Sequence, residues 1–216
     1  MRVITGEAKG RKLKGPPSSA TRPMQDKIKE ALFSALESLD LDIVRVLDLY
    51  AGTGGIGIEA LSRGAETADF VEQNAAAATV VRVNLAHTRY ADVTRVYQES
   101  VTSFLARAER NPADTVPYDL IIMDPPYADP ELVATLEWVG RSPLVESATI
   151  LAIGHSPRVT LPEEAGRLIR LRERCHGDSC FSVYEAAVVS RQSSEELAQV
   201  ADDLDISLTT DDSGEP

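Results

Sequence analysis

Residues 44–59 read VRVLDLYAGTGGIGIE, and this stretch decides the fold. The apolar and β-branched residues of 44–50 predict a buried strand. The chain then turns through Gly52, Gly54, Gly55 and Gly57 into a helix that reaches about Arg63, with Gly64 suited to its C-terminal cap. Glycines at such a junction let backbone approach a ligand and take φ > 0. The helix start beyond them offers unpaired N–H groups. Gly52, Gly54 and Gly57 match the G-x-G-x-x-G spacing of a dinucleotide-type site, in the strand–turn–helix context that spacing needs. Working outward, residues 67–72 (TADFVE) predict the next strand, closed by Glu72. An acid about 20 positions past the glycines can accept from both ribose hydroxyls at once.

The same alternation continues along the chain. A helix is expected from about Met24 to Leu39, with Ile28, Ala31, Leu32, Ala35, Leu36 and Leu39 on one face. Helices at 74–87, 101–109 and 129–139 alternate with strands at 93–97, 118–123 and 148–153. Such alternation predicts a doubly wound, mostly parallel α/β sheet of Rossmann-like form. Residues 167–174 and 180–189 differ, because the few residues between them can join only antiparallel strands. Val3–Thr5 and Arg11–Lys14 predict a small N-terminal hairpin. The expected organisation is a basic arm over 1–20, an α/β domain over 21–191 and an acidic, disordered tail over 192–216.

A second motif closes the strand at 118–123, where the apolar run ends in Asp124, Pro125, Pro126 and Tyr127. Neither proline gives a ladder hydrogen bond, and each fixes φ near −65°. Pro126 also keeps Pro125 extended. A stiff loop results, carrying a carboxylate, exposed carbonyls and an aromatic ring at a strand's carboxyl end. It suits a flat, polar molecule bearing an NH2 group.

The two motifs together discriminate between cofactors. A dinucleotide places its pyrophosphate on the helix dipole. Asp48, just before the glycine turn, would repel that group but favour a cationic amine or sulfonium. The 124–127 loop has no part in hydride transfer and a clear one in methyl transfer to an amine. S-adenosyl-L-methionine is therefore the expected cofactor.

On these residues the chain resembles the class I S-adenosylmethionine-dependent methyltransferases that modify amino nitrogens of planar substrates. Three further stretches, MRVITGEAKGRKL at 1–13, TRPMQDKIKEALF at 21–33 and RCHGDS at 174–179, narrow the resemblance to the bacterial 16S ribosomal RNA guanine-N2 methyltransferases of the RsmD type. It covers about residues 1–190. The resemblance implies a parallel sheet ending in a hairpin, with cofactor contacts from Asp48, Tyr50, Ala51, Gly52, Gly54, Gly57, Glu72 and Gln73. Glu99 or Ser100 would meet the adenine. It implies catalysis by Asp124, Pro125, Pro126 and Tyr127, with the base held between the Asp124 carboxylate, the Pro125 carbonyl and the Tyr127 ring. The 124–127 motif alone is shared with DNA adenine-N6 and protein glutamine-N5 methyltransferases, which form the alternative. A catalytically silent RNA-binding protein of the same fold is a third reading.

Composition limits the partners. The net charge is −12, which on average repels nucleic acid. Residues 1–29 nevertheless balance at +6, and 192–216 at −8. Fields reach only about 8–10 Å in physiological salt, so the local basic arm can act at short range. Arg2, Lys9, Arg11, Lys12, Lys14 and Arg22 are the expected RNA contacts. No apolar run approaches the ~20 residues of a membrane span, and no secretory leader is evident. The expected protein is a cytoplasmic monomer acting on 16S rRNA in the small ribosomal subunit, with no metal. Cys175 and Cys180 are expected as free thiols. His87 is read as helix surface, His155 as a loop residue and Trp138 as core.

Overall fold

The computed structural model describes residues 1–15, 26–126 and 129–187. The end of the basic arm from residue 16 on, Arg22, Tyr127 and the acidic tail lie outside them. Eight strands form one sheet: β1 (Arg45–Leu49), β2 (Thr67–Val71), β3 (Thr94–Tyr97), β4 (Leu120–Met123), β5 (Ile150–His155), β6 (Glu164–Ala165), β7 (Leu168–His176) and β8 (Ser179–Ala186). Five helices accompany them: α1 (Asp26–Glu37), α2 (Gly55–Ser62), α3 (Ala75–Thr88), α4 (Val101–Arg110) and α5 (Leu132–Arg141). The strand order is β3-β2-β1-β4-β5-β8-β7-β6. β1 to β5 are parallel; β8, β7 and β6 add antiparallel strands at one edge. This is the expected doubly wound architecture with a terminal hairpin.

Strands covered on both faces explain the near-continuous apolar runs in the sequence. Val46, Phe70, Leu120 and Ile122 join one core, beneath α1, α2 and α3. Leu47, Leu49, Ile121 and Met123 join a second core, beneath α4 and α5. The direction of chain progression reverses between β1 and β4, so the switch point of the sheet lies at their carboxyl ends.

The N-terminal residues are built into the domain. Val3, Ala8 and Leu13 are buried in the first core. The amides of Ile4 and Thr5 donate to the two oxygens of Glu59, and Ala8 N–H donates to Ser62 Oγ. Lys29, 1% exposed, donates to the Arg2 carbonyl and pairs with Glu59 at 3.1 Å. Gly6 sits at φ +83°, and any Cβ there would overlap the Ser62 carbonyl.

Several expectations are corrected. Cys175 and Cys180 form a disulfide instead of two thiols. The hairpin turn is shorter than expected, only Gly177 and Asp178, and its register puts the two cysteines directly opposite. Their Cα atoms lie 4.0 Å apart, close to the spacing of a non-hydrogen-bonded antiparallel pair. His155 is the last residue of β5 and is buried, not in a loop, because β8 covers the end of that strand. α5 begins at Leu132, since Asp129 is engaged in a turn with Pro126. The two-residue strand β6 was not expected at all. His87 is exposed on α3, as expected; Trp138 lies half-buried at the margin of the second core, its indole N–H bound to Glu109.

Candidate methyl-transfer site

The switch point gathers three carboxylates. Asp48 lies on β1 beneath the start of α2, only 1% exposed. Its Oδ2 accepts the Gly57 N–H at 2.9 Å. Gly54 occupies the N-cap position with φ 77° and has no side chain to cap the helix, so Asp48 supplies the acceptor from the strand below. The acid before the turn thus holds strand and helix together. Gly57 permits this approach: a Cβ there would sit 2.5 Å from Phe70 Cε1 and 3.0 Å from Asp48 Oδ2. Gly52 is different. Its φ of +56° favours glycine, and the nearest heavy atom to an added Cβ would be the Tyr50 carbonyl, 3.9 Å away.

Burial pushes the Asp48 carboxyl up to about 7, with the charges of Asp124 and Glu72 raising it further and the Gly57 hydrogen bond opposing. Glu72, just past β2, accepts from Gly52 N–H at 2.8 Å and from Asn74 N–H at 2.7 Å. Each carboxylate oxygen has a second lone pair, so both can still accept a hydroxyl. Asp124 follows β4, whose Met123 pairs with Leu49 of β1. Asp124 is half-buried, Pro125 buried and Pro126 exposed. The Pro126 carbonyl accepts Asp129 N–H at 2.9 Å. Among the described residues no group of three or more His, Cys, Asp or Glu could hold a metal ion.

The remaining expected residues divide. Ala51 is buried in the turn, its N–H on the Val71 carbonyl. Tyr50 has a positive φ of 61°, a strained conformation for this residue at a strand end. Its ring packs against the second core, and burial raises its phenol above the ordinary value. Its backbone, not its ring, therefore borders the turn. Gln73 is exposed. Glu99 forms an ion pair with Arg107 at 2.8 Å, and Ser100 Oγ caps α4 by accepting Ser103 N–H. Both lie beyond β3, two strands from β1.

Arg2, Lys9, Lys12 and Lys14 are exposed on the arm, whose Lys14 backbone is tied through Asn84 to the Thr53 carbonyl of the glycine turn; Arg11 donates to the His87 carbonyl at 2.7 Å. Sequence reasoning missed two features. One is Glu59, 0% exposed, which gathers two arm amides, Lys29 and Arg63. An acid in an apolar helix is the signal that marks it. The other is a row of basic side chains on β7, visible in the sequence as Arg172 and Arg174 at period two, followed by His176.

Comparison with known proteins agrees with this geometry. The family model described as "Conserved hypothetical protein 95" matches residues 1–185. The chain belongs to this family. Within it, "Putative rRNA methyltransferase YlbH" of Bacillus subtilis (strain 168) is 35% identical over 185 residues, 86% of this chain and 98% of that relative. "Ribosomal RNA small subunit methyltransferase D" of Escherichia coli (strain K12) is 30% identical over 86% of this chain and 89% of its own. The solved structure "Putative methyltransferase yhhF from Escherichia coli" superposes with a TM-score of 0.74 at 29% identity, covering 87% of this chain and 98% of that one. Family and class I methyltransferase fold thus stand as the sequence resemblance implied.

Proposed function

We propose that this protein is an S-adenosylmethionine-dependent methyltransferase of small-subunit ribosomal RNA, and that the acceptor is the exocyclic N2 of a guanine in 16S rRNA. One observation carries the reading: a buried Asp48, with Glu72 and Asp124 near enough to raise its pKa, at the switch point of a doubly wound sheet. Such a cluster suits a cation and disfavours a pyrophosphate. When bound, S-adenosylmethionine supplies an electrophilic methyl on a positively charged sulfur. Glu72 would take the ribose hydroxyls, the glycine turn would border the methionine portion, and Asp48 would face its positive charge. The names of both relatives support rRNA as the substrate class, and that of the Escherichia coli relative supports the small subunit. A cytoplasmic location follows from that substrate.

Guanine N2 is a weak nucleophile because its lone pair is delocalised into the ring. The Asp124 carboxylate and the Pro125 carbonyl would accept its two hydrogens and turn the lone pair out of the ring plane. As the N–C bond forms and the S–C bond breaks, positive charge appears on nitrogen beside Asp124, which stabilises it electrostatically. The donor would be left with a neutral thioether, and Asp124 or solvent would take the surplus proton. The base must be flipped out of its stack to reach this loop. Tyr127 would stack on it, a contact of about 1–3 kcal/mol.

The test is transfer of labelled methyl to 16S RNA, naked and in assembled subunits, followed by nucleoside analysis. N2-methylguanosine is the expected product. N6-methyladenosine, or labelling only of DNA or a glutamine peptide, would overturn the acceptor assignment. Asp124→Asn should lower kcat by about 10²–10³-fold with cofactor affinity retained, and a near-normal rate would reject the role of Asp124.

A further inference from the structure

α1 and the C-terminal hairpin enclose a groove of about 510 Å³ that methyl transfer at Asp124 leaves without a role. Ile28 and Phe181 line its apolar part, and Lys27, Arg172, Arg174 and His176 its polar part. Among the described residues no carboxylate lines it.

The sequence builds this cationic wall in two ways. On α1, positions 27, 31 and 34 recur on one helix face with Ser38 just past its end, and Ala31, Ser34 and Ser38 are small enough to leave the space open. On β7, the register shifts between Arg170 and Arg172. Arg172 and Arg174 then pair with Val183 and Phe181, whose side chains belong to the core beneath α1. Glu173 falls on the opposite face, where Ser182 donates to it and Arg170 pairs with it. On α1, Glu37 is held by Arg63. Acids are thereby sorted out of the groove. Among the described residues Arg172 has a 3.3 Å hydrogen bond to Ser38, and Arg174 one to the Glu173 carbonyl. Among the described residues no ion pair involves Lys27, Arg172 or Arg174.

Position adds to charge. Met123 pairs with Ile153, so Asp124 and Gly154 come next in their strands. Gly154 pairs with Phe181, and Phe181 with Arg174. Asp124 and Arg174 therefore lie in one row, three strand spacings apart, or about 14 Å. That is within reach of nucleotides flanking a base held at Asp124.

We infer that this groove seats the phosphate backbone of the single-stranded RNA segment carrying the acceptor base, with Arg172 and Arg174 each neutralising a phosphate. The inference rests on RNA being the substrate, and goes beyond it in moving the main contact from the N-terminal arm to the α1–hairpin groove. The full-length protein is titrated into a fluorescently labelled single-stranded RNA oligonucleotide across a salt series, and anisotropy gives the slope of log affinity against log salt. The Arg172→Gln/Arg174→Gln variant should have a slope shallower by about 1.4, from ~0.7 per phosphate on a single strand. Its affinity at 0.1 M salt should fall about 25-fold, the same 1.4 decades read against 1 M salt. Lys27→Gln, on the other wall, should lower the slope by about 0.7. Melting temperature and cofactor affinity should stay at wild-type values. An unchanged slope in both variants overturns the groove, as does a slope that falls only when Lys9, Lys12 and Lys14 are neutralised. Methyl transfer is read separately: turnover with an unchanged slope removes the groove and keeps the function, whereas a shallower slope without turnover on any RNA does the reverse.

Discussion

Asp48 links helix capping to cofactor chemistry. With no ligand its carboxyl is shifted from the usual 3.8 up to about 7 by burial, then by its acidic neighbours. A raised carboxyl favours the folded state in its protonated form. That contribution is complete below pH 4 and is lost as pH rises through about 7. At about 1.4 kcal/mol per unit, the free protein loses up to about 4 kcal/mol of stability between pH 4 and 7 from this group. A cation beside Asp48 favours its charged form and so opposes the shift, and binding S-adenosylmethionine should release a proton. Calorimetry at pH 6 in two buffers of different ionisation heat should count close to one proton released, falling toward zero at pH 8.5. No buffer dependence at pH 6 would remove Asp48 from the cofactor site. Gly57 is a second test of the same contact. Gly57→Ala forces a methyl against Phe70 and Asp48, and such overpacking costs about 1–3 kcal/mol. Denaturant unfolding at pH 7 measures it, and an unchanged midpoint would show that the helix can move off the strand freely.

The N-terminal segment acts as a clamp on α2. Glu59 stands where a helix of a parallel sheet normally carries an apolar residue, and it is tolerated because Lys29, Arg63 and the amides of Ile4 and Thr5 converge on it. Removing one partner of a buried pair leaves a desolvated charge, typically at a cost of about 3–5 kcal/mol. Lys29→Met should lower unfolding free energy by about 3 kcal/mol and speed proteolysis within residues 1–15; a loss under about 1 kcal/mol would mean that Arg63 and the amides suffice. This clamp was not legible in the sequence, where residues 1–14 look like a basic hairpin reaching toward RNA. The reason is physical. Strands and helices of the sheet are written in local periodicity, and the motifs at 48–57 and 124–126 sit at strand ends that local pattern also locates. Apart from Arg63, one helical turn on, the partners of Glu59 lie 30 to 55 positions away on one side, and no period connects them. The disulfide escaped for a related reason, since the two-residue turn at Gly177 and Asp178 alone decides that Cys175 meets Cys180. The cations of β7 were legible in principle, but the irregular register at Arg170–Arg172 decides which face they occupy.

A net charge of −12 sets how such a protein meets a polyanion. Beyond a Debye length of about 8 Å at physiological salt the chain presents no net attraction, so RNA is not steered from afar. Affinity must arise from a few cations close to the phosphates. A groove with Lys27, Arg172 and Arg174, joined by one lysine of the arm, neutralises about four phosphates, for a predicted salt slope of about −2.8 on single-stranded RNA. Raising salt from 50 to 200 mM should then weaken binding about 50-fold. The acidic surround acts in the opposite direction on nonspecific ligands. Duplex DNA, too wide to enter the α1–hairpin groove with its bases paired, should bind far more weakly than a single strand of equal length at every salt concentration. Anisotropy titrations with matched single- and double-stranded oligonucleotides measure both quantities. A slope near zero would mean that phosphate contacts contribute nothing. Equal affinity for duplex would place recognition on an open surface such as the exposed lysines of the arm, and the groove between α1 and β7 would have no part in it.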